Sequence, residues 1–154
     1  MPVAANALAP LPLNPLALRL GHLGLLPFVL GALLVWLVGG RDAAAHAWIS
    51  FALSAYAALI LSFLGGIYWG LGFSRPQDGS ALPFIWGVMP SLGAWIALVM
   101  PAYAGLVLHG VMLIACYLVD RRLYPALGAA AWLTLRFRLS AVAALCCFLA
   151  AAGS

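Results

Sequence analysis

The sequence predicts an all-α polytopic membrane bundle of about five helices in a single domain, and three observations carry that expectation. Hydrophobic residues make up 67% of the 154-residue chain and charged residues 6%, where a soluble domain carries roughly 25% charged residues. A soluble fold of this size has no interior large enough to hide so much apolar surface, so the solvent must be lipid. Second, the chain divides into five apolar runs separated by short Gly-, Pro-, Arg- and Asp-bearing segments. Third, the second run carries a small residue at every fourth position: Ser50, Ser54, Ala58, Ser62, Gly66, Gly70 and Ser74. In water, paired glycines weaken a helix by about 1 kcal/mol each. In a bilayer they let two helix backbones approach closely.

The elements follow in order. Residues 1–19 form a Pro-rich segment (Pro2, Pro10, Pro12, Pro15) with no charge before Arg19. It lacks the basic start and small-residue cleavage site of a signal peptide, so the first apolar run is expected to stay in the membrane. The bundle proper is expected over 20–152. Its runs are Leu20–Val38, about Ala47–Phe73, about Leu82–Met100, Ala102–Val119 and about Leu139–Ala152. A span needs about 20 apolar residues. The second run, at roughly 40 Å, must tilt or protrude. The fifth is short, and Arg138 can snorkel to extend it. The stretch Tyr124–Leu135 reads as a short interfacial helix. Pro27 and Pro90 lie inside runs, and each frees a carbonyl that a neighbouring group must satisfy. Met100-Pro101-Ala102-Tyr103 joins runs three and four as antiparallel neighbours, with Pro101 at the start of a helix. No internal repeat of the inverted-transporter kind is present.

Charge predicts orientation. With five spans, one side holds Arg19, Arg75, Arg121, Arg122, Arg136 and Arg138, and the other only Arg41. The positive-inside rule then places the N-terminus in the cytoplasm and the C-terminus outside. A net charge of +4, scattered in this way, is too weak for a nucleic-acid footprint. Asp120, Arg121, Arg122, Arg136 and Arg138 form an inner-interface cluster. Asp120 is expected to pair with an adjacent Arg. The arginines serve positive-inside orientation or, alternatively, hold an anionic headgroup or a partner's acidic residue.

Helix packing is the leading candidate role. An i+4 row advances about 40° per step, so it winds around the helix and only three successive positions share a patch. The patch around Ser62, Gly65, Gly66 and Gly70 contains the GxxxG spacing Gly66-x-x-x-Gly70. Three further polar residues are functional candidates. His109 lies within the fourth run, where an ionisable residue suggests function, or else a neutral imidazole bonded to a neighbour's Ser or carbonyl. Tyr68 and Ser91 also lie within spans. His22, His46 and His109 fall at different depths, staggered by roughly 10 Å or more, which argues against a shared metal or haem. Cys116, Cys146 and Cys147 read as small buried hydrophobes. The chain has no Glu, no nucleophile–base pair, no phosphate loop and no zinc-protease motif. No catalytic residue, cofactor or metal is expected.

Four segments occur together in order: Leu23-Gly-Leu-Leu-Pro-Phe28, Ser62-Phe-Leu-Gly-Gly-Ile-Tyr-Trp-Gly70, Pro90-Ser-Leu-Gly-Ala-Trp95 and Leu118-Val-Asp-Arg-Arg122. So arranged, the chain resembles the domain of unknown function 3429 family from about Leu20 to Ala150. That family comprises small multi-span inner-membrane proteins of bacteria and includes a mitochondrial transmembrane protein. Its members often have His where this chain has Tyr68, which argues against an obligatory metal or haem ligand there. The resemblance implies a bacterial inner-membrane protein and brings no activity or catalytic residue with it. The expected function is a non-enzymatic accessory or assembly component of a membrane complex, whose partners are the bilayer and another membrane protein or itself. The alternative is a small oligomeric transporter or channel.

Overall fold

The computed structural model describes residues 13–74 and 80–154. The described residues form helices α1 (Pro15–Leu23), α2 (Leu26–Val38), α3 (Ala43–Phe73), α4 (Leu82–Val99), α5 (Ala102–Leu123) and α6 (Leu133–Gly153), with a 3₁₀ turn at Ala130–Trp132 and no strand. Among the described residues, five segments are long and apolar enough to cross a membrane: Pro15–Val38, Ala43–Phe73, Leu82–Val99, Ala102–Leu123 and Ala130–Gly153. Each matches one of the apolar runs. Arg75 and Asp78 lie outside the described residues, as does most of the Pro-rich segment.

The first span is two helices rather than one. α1 starts at Pro15, five residues before the apolar run. Asn14 caps it by accepting from the Leu16 amide at 2.8 Å. The chain breaks at Gly24-Leu25, and Pro27 opens α2 within its first turn, where its missing N–H is an orphan in any case. A neighbouring helix serves this break: Tyr56 Oη of α3 donates to the Gly24 carbonyl at 2.9 Å. Gly40, at φ 75°, turns the chain into α3. There Asp42 caps the helix by accepting from the amides of Ala44 and Ala45. Pro101 lies just before α5, as its fixed φ suits.

α3 is the central element. It packs against α2, α4, α5 and α6. Its buried residues are Ser50, Leu53, Ser54, Ala57, Ala58, Leu61, Leu64, Gly65 and Tyr68, a stripe with the alternating three- and four-residue spacing of a helix–helix seam. α5 and α6 form an antiparallel hairpin whose turn includes Gly128 at φ 71°. Outside this core the surface is apolar: Trp48, Leu59, Phe63, Trp95 and Val99 are exposed, as lipid-facing residues are.

Two expected boundaries are corrected. Tyr124–Leu135 is not an interfacial helix. Residues 124–128 form turns, the 3₁₀ turn follows at Ala130, and Leu133–Leu135 already belong to α6. The last helix thus begins six residues before the expected Leu139, because the charge of Arg136 is neutralised inside the bundle and so does not mark its edge.

A candidate functional site at the arginine-bearing end

Several polar residues of the spans are joined across helices, at three levels. At the end carrying Arg41, α6 is tied to α2 and α3. Trp36 Nε1 donates to the Leu149 carbonyl at 2.9 Å, the His46 Nε2 lies 2.8 Å from the Gly153 carbonyl, and Ser50 Oγ lies 3.0 Å from Ser154 Oγ. Deeper in, His109 of α5 is fully buried between α3 and α4. Its Nε2 lies 3.3 Å from the Ala94 carbonyl and its Nδ1 3.3 Å from Ser54 Oγ. A carbonyl only accepts, so Nε2 carries the ring proton, and in the neutral ring Nδ1 accepts from the serine hydroxyl. Both nitrogens are used, in the arrangement anticipated for an imidazole bonded to its neighbours. His22 bonds within its own helix, to the Leu18 carbonyl, so the three histidines have three separate sets of partners.

The third level, at the opposite end, is the principal constellation. Asp120 near the end of α5 is 1% exposed. Its Oδ1 accepts from Tyr68 Oη of α3 at 2.6 Å. Its Oδ2 accepts from Arg136 Nε of α6 at 2.8 Å, and Arg136 Nη2 lies 2.6 Å from the same oxygen in ion-pair contact rather than an aligned hydrogen bond. The buried Tyr124 completes the group. Its ring lies 5.8 Å from that of Tyr68, within reach of the Asp120 and Arg136 charges. Burial, reinforced by the Asp120 charge, pushes the Tyr124 phenol up to about 12. One carboxylate, one guanidinium and two phenols therefore join three helices and the α5–α6 turn.

This arrangement corrects one expectation. Asp120 does not pair with Arg121 or Arg122, which are exposed along with Arg138. It pairs with Arg136 across the hairpin. The turn explains the choice. In an antiparallel pair folded about residue 128, positions 120 and 136 stand opposite each other, while residues 121 and 122 rotate away from the partner helix. Tyr68, singled out as a polar residue in a span, proves to be the third member. Ser91 is half-buried and lies apart from this group.

The small-residue patch divides in two. Gly65 is the internal contact: a Cβ there would run into the Gly87 carbonyl of α4. Gly105 likewise meets the Ala97 carbonyl where α5 crosses α4. Gly66 and Gly70 are exposed, and a Cβ built on either has nothing within 4 Å. Within the chain, α3 and α4 meet through Gly65, and the Gly66-x-x-x-Gly70 edge is left facing outward.

A family model described as a protein of unknown function, DUF3429, matches residues 13–152. The chain belongs to that family. Among curated relatives, Transmembrane protein 69 of Xenopus tropicalis is 42% identical over 87 residues, covering 53% of this chain and 32% of the relative. The match therefore spans about a third of that protein's length. No solved structure matches. The protein is accordingly a multi-pass member of the DUF3429 family, with the carboxylate–guanidinium–phenol group near one end of its bundle.

Proposed function

We propose that the protein is a non-enzymatic helix-packing component of a bacterial inner membrane, acting as an accessory or assembly subunit that meets a partner helix, or a second copy, along the outer face of α3. The observation that carries this reading is the outward Gly66–Gly70 edge. It has no side chain at its two glycines, it is flanked by the exposed rings of Phe63 and Phe73, and among the described residues nothing packs against it. In lipid, small residues bring no hydrophobic gain of their own. Their use lies in close approach of another backbone. The internal polar groups fit a structural part: His109, Asp120 and Arg136 are engaged with one another or with neighbouring helices. That engagement weighs against the transporter alternative, in which a relay or pathway needs polar groups free to exchange partners. The arginine distribution favours a cytoplasmic N-terminus and an external C-terminus.

The test is association of the full-length protein in mild detergent, followed by blue-native electrophoresis. Wild-type protein should migrate as a complex, with itself or with a co-purifying membrane protein. Gly66→Leu should release a folded monomer, since the substitution meets nothing within the chain. A wild-type protein that is monomeric and partner-free overturns the proposal, as does an unchanged complex in Gly66→Leu.

A further inference from the structure

Between α5 and α6 the bundle carries an apolar groove of about 370 Å³, open to the side, with Ile114 and Tyr117 on one wall and Phe137, Ser140, Ala141 and Leu145 on the other. Two features make it more than a lipid-filled crease. First, its register leads to positive charge at one end. Arg121 follows Tyr117 by four residues and Ile114 by seven, so it continues the α5 wall by one turn. Arg138 precedes Ala141 by three and Leu145 by seven, so it continues the α6 wall in the same direction. Both are exposed, and neither is the arginine committed to Asp120. Second, Ser140 is 3% exposed and its Oγ has no hydrogen-bond partner among the described residues. An unpaired hydroxyl is costly in a bilayer. It lies two residues, about 3 Å, deeper along the helix than Arg138.

We infer that this groove is a binding site for an anionic glycerophospholipid, with an acyl chain in the slot, the phosphate between Arg121 and Arg138, and an ester carbonyl at the level of Ser140. The ordering matches the lipid's own. The charged phosphate lies outermost, the ester carbonyls a few ångströms below it and the hydrocarbon beyond. The Tyr117 and Phe137 rings, with centroids 5.4 Å apart, narrow the mouth of the slot between head and chain. The two arginines select for charge, and the apolar walls supply length without selectivity.

Native mass spectrometry of the full-length protein in detergent, equilibrated with equal amounts of phosphatidylglycerol and phosphatidylcholine, reads this directly. Wild-type protein should retain phosphatidylglycerol over phosphatidylcholine by roughly tenfold or more, the scale expected of two arginines near an anionic headgroup. The Arg121→Gln/Arg138→Gln pair, at exposed positions, should bring the ratio close to one. Ala141→Trp, which fills the slot, should abolish retention of both lipids. Ala141→Leu gives the same reading in milder form should the Trp variant fail to fold. Ser140→Ala should weaken retention roughly fivefold, as loss of one hydrogen bond does. Equal retention of the two lipids by wild-type protein overturns the inference. So does a preference that survives both Ala141 variants, or a dimer that those variants dissociate.

Discussion

Removing the Asp120 carboxylate should destabilise the bundle more than most single changes on its polar residues, and the structure lets the size be worked out. In Asp120→Ala the Arg136 guanidinium stays where it is, 7% exposed, with its countercharge gone. Breaking a buried pair by removing one partner costs about 3–5 kcal/mol. Tyr68 Oη loses its acceptor as well. The thermal midpoint should therefore fall by on the order of 10 °C for a chain of this length. The protein carries its own reporter. Cys116, Cys146 and Cys147 are all buried, so a maleimide that fluoresces on thiol reaction reads unfolding without a label. The decisive comparison is the double variant Asp120→Leu/Arg136→Leu. It removes the orphaned charge along with its partner and replaces a buried pair by apolar side chains, a change that is often neutral or stabilising. It should melt above Asp120→Ala, so the two substitutions should be strongly non-additive. If Asp120→Ala lowers the midpoint by less than about 2 °C, or if the double variant loses the sum of the losses measured for Asp120→Leu and Arg136→Leu singly, then the group is not the linked, water-excluded unit described.

Other expectations concern single positions. Gly65→Ala should cost about 2–3 kcal/mol or more by forcing α3 and α4 apart at the Gly87 carbonyl, whereas Gly66→Ala should leave the midpoint of the isolated protomer unchanged within about 0.5 kcal/mol; the same thiol assay compares them. His109→Leu leaves Ser54 Oγ without its ring partner and should lower stability by about 1–3 kcal/mol, while Ser54→Ala introduced into that background should restore part of the loss. For Tyr124, the folded-state phenol at about 12 lies above its ordinary value of 10.0. The stability linked to it is fully present below pH 10 and is lost as pH rises through 12. The ultraviolet difference titration of wild type against Tyr124→Phe should show one phenol with a midpoint near 12, and a midpoint at 10 would contradict its burial.

The five spans were legible because hydropathy reports directly on a lipid solvent. What hydropathy misread was charge. It treats an arginine as the edge of a span, and Arg136 is one only until Asp120 neutralises it. The link was available from geometry, since Asp120 and Arg136 are equidistant from Gly128, but only once the hairpin turn was placed there. The packing patch was half legible for a different reason. A row taken at every fourth residue drifts by about 40° per step. It coincides with the buried seam of α3 at Ser50, Ser54 and Ala58. By Gly66 it has wound onto the outer face, while the seam continues through Leu61, Gly65 and Tyr68. Neighbouring glycines at 65 and 66 therefore face different surroundings, a distinction that composition does not contain. The role of His109 as a bonded imidazole was legible in kind, but its partners on α3 and α4 follow from how those helices pack.

We propose that the outer edge of α3 meets another protein, and photo-crosslinking in native membranes tests this, with a photoreactive residue replacing in turn Phe63 and Phe73, the exposed rings that flank the glycine edge, and Leu92, an exposed position on α4. One discrete protein adduct is expected, shared by positions 63 and 73 and absent at 92. Adducts to lipid alone at all three positions, or the same protein adduct at 92 as at 63, would overturn the proposal.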